Sequence, residues 1–265
     1  MHIVEELIAE RVPRLRSHPF VWKALRPVLY RALGYDQAVR MADAVAGLSG
    51  FAAFDHISRL LALRPDISGL EHIPRSGPVL VIANHPTGLA DGVFVFDALK
   101  SVRPDHIFMA NADALRVVPG AGDIIIPVEW VKAKRTPAKT RQTLKDLKAV
   151  LGAGRAVVIF PSGVLARMSL KGLVDKAWNP TAVSMARKTG TTIVPLNIKA
   201  RNSALYYVLA LLNKELRDIT LFHELLNKKQ ARPKLTFGPP VRPDTLPKGA
   251  KAATDHVREI VESLA

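Results

Sequence analysis

His85 and Asp91 are the residues on which chemistry would turn. An imidazole, with an ordinary pKa of about 6.5, is the natural general base at neutral pH. A carboxylate on its far nitrogen fixes the tautomer and stabilises the imidazolium that forms. Five residues separate the two, and a turn containing Pro86 and Gly88 can fold Asp91 back toward the ring. Spacing alone is a weak signal, because a lone pair of this kind near a turn is more often a helix cap or a surface contact. Position is the stronger signal. Pro78 to Ala83 is a continuous apolar run, the pattern of a strand buried on both faces. Asn84 to Gly88 break it with turn formers, and Ala90 to Val102 takes up a helical period. The histidine thus stands at the carboxyl end of a buried strand, where open α/β sheets place their ligands.

Two further stretches repeat this logic. Ala156 to Phe160 is a buried-strand pattern that empties into Pro161, Ser162 and Gly163. If its strand neighbours the first, Ser162 and Gly163 come near His85, and free N–H groups in that turn could hold an oxyanion or phosphate. A plain strand-to-loop turn uses the same residues. In Thr192 to Asn197, Pro195 interrupts an apolar strand. Proline removes a ladder hydrogen bond, so this strand is expected at an edge or bulged beside a site.

The elements that must position these residues alternate from Ile67 onward. Strands are predicted over Val79 to Ala83, Ile107 to Ala110, Ile124 to Val128, Ala156 to Phe160, Thr192 to Ile198 and Lys234 to Phe237. Helices are predicted over Ala90 to Val102, Thr136 to Leu151, Pro180 to Thr189, Ala204 to Leu216 and Val257 to Leu264. Thr136-Pro137 supplies a cap with proline in the first turn, and Gly152 and Gly154 a stop. The expected class is α/β, a mostly parallel mixed sheet flanked by helices. Residues 1–66 read as a helical region with a candidate membrane-associating segment, 67–241 as the catalytic domain and 242–265 as a C-terminal helix. Within the first, Phe20 to Arg31 mixes large apolar residues with Lys23, Arg26 and Arg31, with Pro27 as a kink or boundary. That pattern suits an interfacial helix, or a helix packed on the core with its basic face in water.

Composition narrows the function. With 38 Lys and Arg against 23 Asp and Glu, the formal charge is +15, which calls for an anionic lipid, an acidic carrier or nucleic acid. Aromatic residues make up only 6%, which disfavours a single-strand nucleic-acid binder that relies on stacking. The chain has no cysteine, which excludes disulfides, thiolate metal sites and a cysteine nucleophile. The eight histidines lack zinc spacing, so no metal is expected. No signal-peptide order and no run of about 18 apolar residues is evident, so a peripheral location on the cytoplasmic face of the membrane is expected.

Taken together, Asn84-His85, Asp91-Gly92, Phe160-Pro161-Ser162-Gly163 and Ile193-Val194-Pro195-Leu196 resemble the glycerophospholipid acyltransferase superfamily. The 1-acyl-sn-glycerol-3-phosphate acyltransferases belong to it. The likeness runs from roughly Ile67 to Val241. Asp175 to Pro180, Arg201 to Tyr206 and Glu224 to Lys228 look like the branch that holds hemolysin-like sequences and the enzymes making ornithine and other amino-acid lipids. Phosphatidate-forming enzymes have one residue fewer between histidine and aspartate, a glutamate where Ser162 stands, and an acceptor-binding arginine where Ile124 to Val128 has none.

The resemblance implies acyl transfer from acyl-CoA or acyl carrier protein to a lyso-lipid, either lysophosphatidate or a lyso-amino-acid lipid, with no bound cofactor. His85 would be the general base and Asp91 its orienter. Asn84, Gly88, Phe160, Pro161, Ser162, Gly163 and Arg201 would bind substrate. Arg201 could replace the missing arginine or pair with Asp175 or Asp218. The rival class is a noncatalytic basic protein held to nucleic acid or membrane by charge, which leaves three coincident strand-end turns without a purpose. Lys132, Lys134, Arg135, Lys139 and Arg141 form a basic cluster suited to a carrier, coenzyme phosphates or headgroups, or a solvated face. Ala204 to Leu212 is apolar enough to face lipid, wall an acyl chain or join the core.

Overall fold

The computed structural model describes residues 1–129, 135–169 and 172–265. Its N-terminal third is helical: α1 (Ile3–Arg11), α2 (Pro13–Arg16), α3 (Pro19–Ala32), α4 (Tyr35–Ala46) and α5 (Gly50–Leu61). Then follow β1 (Asp66–Ser68), β2 (Val79–Ala83), α6 (Leu89–Leu99), β3 (Ile107–Asn111), α7 (Ala114–Val117) and β4 (Ile125–Val128). Next come α8 (Pro137–Gly152), β5 (Ala156–Ile159), β6 (Arg167–Ser169), β7 (Gly172–Val174), α9 (Thr181–Thr189) and β8 (Thr192–Lys199). The chain closes with α10 (Ala204–Leu212), α11 (Lys214–Asp218), α12 (Leu221–Leu226), β9 (Lys234–Phe237) and α13 (Ala250–Ser263).

Among the described residues the main sheet has seven strands in the order β1-β9-β8-β2-β5-β3-β4. Within that sheet only the β8–β9 pairing is antiparallel among the described residues, and β6 and β7 form a separate antiparallel pair. The protein is therefore an α/β fold with a mostly parallel mixed sheet. Continuous apolar strands are what such a sheet requires, because helices cover both faces. Val79, Val81 and Ala83 of β2 join one apolar cluster, and Leu80 and Ile82 join the other. The β5 strand divides the same way, Ala156 and Val158 against Val157 and Ile159. The first cluster also holds Val4, Leu7 and Ile8 of α1, Met41 and Val45 of α4, and Phe94 and Phe96 of α6, so the N-terminal helices share a core with the sheet. The second face is covered by α8, α9 and α13.

The sheet's amino rim is held shut by Arg103, which is only 1% exposed. Its guanidinium donates to the carbonyls of Pro74, Gly77 and Gly154 and pairs with Asp105 at 2.8 Å. Those hydrogen bonds hold the Asp105 carboxyl below the usual carboxylate range. The opposite, carboxyl rim is left for the turns that follow β2, β5 and β8.

Several elements differ from expectation. The β8 strand is central, not an edge, and Pro195 lies opposite an irregularity in its partner. Leu196 pairs with Phe237, yet Ile193 bridges to Val241, so the partner carries one extra residue across Gly238-Pro239-Pro240. The N–H that Pro195 lacks would have pointed at this bulge. Asn213 divides the predicted helix over Ala204 to Leu216, because its side chain accepts the N–H groups of Glu215 and Leu216 and starts α11. The last helix begins at Ala250 instead of Val257, since Ala253 and Thr254 bury their side chains among otherwise polar neighbours. The β1 strand and the β6–β7 pair are too short, and too exposed, to leave an apolar signature.

Candidate active site

The site begins where β2 stops. Asn84 leaves the strand but keeps it tied to β8. Its side chain donates to the Ile198 carbonyl at 2.9 Å and accepts the Ile198 N–H at 2.7 Å. The amide thus extends a ladder that the backbone can no longer make. His85 follows, its ring stacked on Phe160 with centroids 4.5 Å apart. Its carbonyl accepts the Ala166 N–H at 2.9 Å, and its own N–H reaches Asp175 Oδ1 at 3.3 Å. Three separate turns therefore fix one residue.

Nδ1 of His85 lies 2.9 Å from Asp91 Oδ2, with the histidine side chain 18% exposed and the aspartate fully buried. The approach is bent away from a linear hydrogen bond, so Nδ1 has no hydrogen-bond partner in the strict sense. The carboxylate is still close enough to orient the ring, and it would stabilise the imidazolium once His85 takes up a proton. Nε2 makes no hydrogen bond among the described residues and is the nitrogen left for a substrate. Asp91 also closes the first turn of α6. It accepts the N–H groups of Thr87 and Gly88 at 2.8 and 2.9 Å, and the Thr87 hydroxyl at 2.5 Å. The cap and the histidine partner are one and the same carboxylate. Gly88 permits this turn with φ +91°, a region closed to most side chains, and an added Cβ would meet Leu165 at 3.2 Å.

On the neighbouring β5 turn, Phe160 stacks on the histidine and Pro161 is buried, its carbonyl accepting the Asn179 N–H. The Ser162 hydroxyl donates to the Val164 carbonyl at 2.8 Å. Gly163 has φ +61°, and its N–H donates to the Phe160 carbonyl at 3.1 Å. That N–H is thus engaged within the turn and is not free for an oxyanion. Arg201 is exposed on the turn after β8 and makes no ion pair among the described residues. Asp218 pairs instead with Arg217, and Asp175 is engaged by His85 and Trp178.

Three contributors carried no site role in the sequence reading. Thr87 supplies two of the donors to Asp91. Asp175 is buried, accepts the His85 N–H and the Trp178 indole N–H at 2.9 Å, and lies 90 residues from the histidine. Burial, reinforced by the Asp91 charge, raises its carboxyl above the usual range against those hydrogen bonds. Tyr207 receives the Asn202 N–H at 3.3 Å. Burial lifts its phenol, and the charges of Glu224 and Asp91 add to the lift. Of the basic cluster, Lys132 and Lys134 lie outside the described residues. Lys139 pairs with Glu129 at 3.0 Å and Arg135 donates to the Glu129 carbonyl, so the cluster has an acid within it. No group of three or more potential metal ligands occurs among the described residues.

A general base oriented by a buried carboxylate, open on its second nitrogen, can take a proton from a hydroxyl as that hydroxyl attacks a carbonyl. Comparison with known proteins shows the family. The family model described as Acyltransferase matches residues 64–199. A lyso-glycine lipid O-acyltransferase of Phocaeicola vulgatus is 27% identical over 77% of this chain and 74% of its own length. A protein of the same description from Bacteroides thetaiotaomicron is 22% identical over 98% and 96%. The crystal structure of the 1-acyl-sn-glycerophosphate acyltransferase from Thermotoga maritima is similar at a TM-score of 0.48 and 17% identity, covering 80% of this chain and 78% of that one.

Proposed function

This chain belongs to the acyltransferase family, and from that premise we propose that it moves a fatty acyl group from an acyl thioester to the hydroxyl of a lyso-lipid. His85 removes the hydroxyl proton through Nε2 as the oxygen attacks the thioester carbonyl. Asp91 holds the ring and stabilises the imidazolium. The thiol of coenzyme A or of an acyl carrier protein leaves and takes up that proton, so no acyl-enzyme forms. The observation that carries this reading is the 2.9 Å approach of His85 Nδ1 to a fully buried carboxylate at the carboxyl rim.

The acceptor we propose is a lyso-amino-acid lipid, acylated for membrane lipid synthesis. Two relatives that match over three quarters or more of this chain are described as lyso-glycine lipid O-acyltransferases. The absence of an arginine in Ile124 to Val128 also leaves a phosphate without its customary partner there. Thiol release from an acyl thioester, dependent on added lyso-lipid, tests the reaction. His85→Ala is expected to lower the rate by about 10² to 10⁴ while the fold stays intact. Wild-type turnover by that variant would sink the mechanism.

A further inference from the structure

The basic cluster that follows β4 divides in the fold. Lys139 and Arg135 turn to Glu129. Arg141 does not join them. With Lys145 and Lys148 it forms a row at i, i+4 and i+7 of α8, all three exposed and without a hydrogen bond or ion pair among the described residues. Asp146 is the only acid between Pro137 and Gly152. It lies about 100° or more round the helix axis from each of the three, and accepts the Gln142 amide at 2.7 Å. The α13 helix, which covers the same sheet face, is built the other way: Lys251 pairs with Asp255 and Arg258 with Glu262. A helix that leaves three cations unmatched has charge to offer a partner.

One end of the row lies at the catalytic rim. Both β4 and β5 run parallel to β3, so α8, which joins them, starts at the carboxyl rim and runs back to the amino rim. Its first turns are tied there, the Thr143 hydroxyl donating to the Pro127 carbonyl of β4 at 2.9 Å. In the sheet order β4 stands three strands from β2, about 14 Å across. No large apolar side chain of α8 is exposed, whereas α3 exposes Phe20, Val21, Leu25 and Val28. A helix that lies in a bilayer surface needs an apolar side as well as charge, which α8 does not turn outward. The two helices also sit on opposite faces of the sheet. Leu147 and Leu151 of α8 belong to the second apolar cluster, while Trp22 and Leu29 of α3 rest against the first. Contact of α3 with lipid would leave α8 free for a soluble partner.

We propose that Arg141, Lys145 and Lys148 dock an acidic acyl carrier protein, which delivers the thioester to His85 from the α8 side of the sheet. The row spans about 10 Å along the helix at about 1.5 Å per residue. It stands on a convex face, whereas a small molecule such as coenzyme A is held in a concave site. A strip of carboxylates on another protein meets such a row without a pocket, and attraction between the two speeds their encounter. The thioester hangs from the carrier on a flexible arm, which bridges the strands between β4 and β2. The assignment rests on the acyl-transfer reading above and goes beyond it by naming a protein-borne donor and the surface that meets it.

Binding and turnover, both measured on the full chain, separate the two levels. The parent is compared with a triple variant, Arg141→Glu with Lys145→Glu and Lys148→Glu; glutamine at the same positions serves if charge reversal disturbs the fold. Calorimetry with unloaded acyl carrier protein reads the surface without chemistry. The variant is expected to bind at least about tenfold more weakly at low salt, and added salt should weaken the parent far more than the variant. In thiol release with an added lyso-lipid, KM for palmitoyl carrier protein should rise by a similar factor while kcat holds. KM for palmitoyl-CoA should change by less than about twofold. Unchanged affinity for the carrier protein, or an equal rise in KM for both donors, overturns the assignment. So does tighter binding of a random oligonucleotide than of the carrier protein, or loss of co-sedimentation with anionic vesicles in place of carrier binding. Carrier binding that depends on the row without any thiol release would keep the surface and discard the reaction. Thiol release from palmitoyl-CoA with no affinity for the carrier protein would do the reverse.

Discussion

Asp91 meets two demands with one carboxylate, which caps α6 and faces His85. Its Oδ2 is shared among the N–H groups of Thr87 and Gly88 and the imidazole, while Oδ1 takes the Thr87 hydroxyl. Asp91→Asn keeps one acceptor for the cap and removes the charge that the proposed imidazolium needs. It should reduce kcat by about 10² or more with little change in thioester KM. Loss of stability should stay near the 1 kcal/mol of a weakened cap. Equal kcat in the variant and the parent would separate the carboxylate from catalysis. Asp175 acts on the backbone of the histidine instead. Both its oxygens accept N–H donors, from His85 and Trp178, and asparagine can serve only one of them. Asp175→Asn is therefore expected to lower kcat through a displaced ring, with Asp175→Glu failing to rescue it for want of room. A KM effect alone would assign Asp175 to binding.

At the scale of the element, the turn between β2 and α6 depends on a conformation that only glycine enters freely. Gly88→Ala must strain φ +91° and press a Cβ against Leu165. A cost of about 1 to 3 kcal/mol follows from the backbone alone, and thermal midpoint and turnover should fall together. His106, at the start of β3, gives the fold a pH dependence. It is fully buried between Phe96 and Phe108, accounts for one of its nitrogens with the Arg103 carbonyl at 2.7 Å, and leaves the other unpaired among the described residues. Burial pushes its pKa from 6.5 down to about 4. The unfolded chain therefore takes up this proton first as pH falls. The histidine's contribution to stability is complete above 6.5 and is lost on descending toward 4. In urea titrations stability should fall with a slope of up to about 1.4 kcal/mol per pH unit across that window. His106→Leu should lack that increment, and identical slopes in both proteins would count against it.

Over the whole molecule, charge and exposed apolar surface point the same way. No residue of α3 is buried; Trp22, Leu29 and Tyr30 rest against the core, while Phe20 stands 88% exposed. The helix runs through Pro27 without ending. In α10 Leu211 is 89% exposed, and Glu215 of the following α11 accepts the N–H groups of Arg14 and Leu15 in α2, the helix before α3. No helix among the described residues is long and apolar enough to cross a membrane. With a charge of +15, the proposed surface is one that lies against anionic lipid. Phe20→Glu combined with Leu211→Glu should cut co-sedimentation with vesicles containing anionic lipid, while turnover of a short, soluble acceptor persists. Undiminished sedimentation would place the membrane contact elsewhere.

What could be read along the chain was whatever depends on near neighbours. The limits of β2 and β9, the caps of α8 and the turn carrying His85 follow from periodicity and turn chemistry, because burial on two faces leaves unbroken apolar runs. Short or exposed elements such as β1 and β6 left no such trace. Tertiary structure alone decided the contacts that span the chain: Asn84 with Ile198, 114 residues away, and His85 with Asp175. Hydrophobic pattern records how much of a residue is covered, whereas the identity of its polar partner depends on which strands the topology sets side by side.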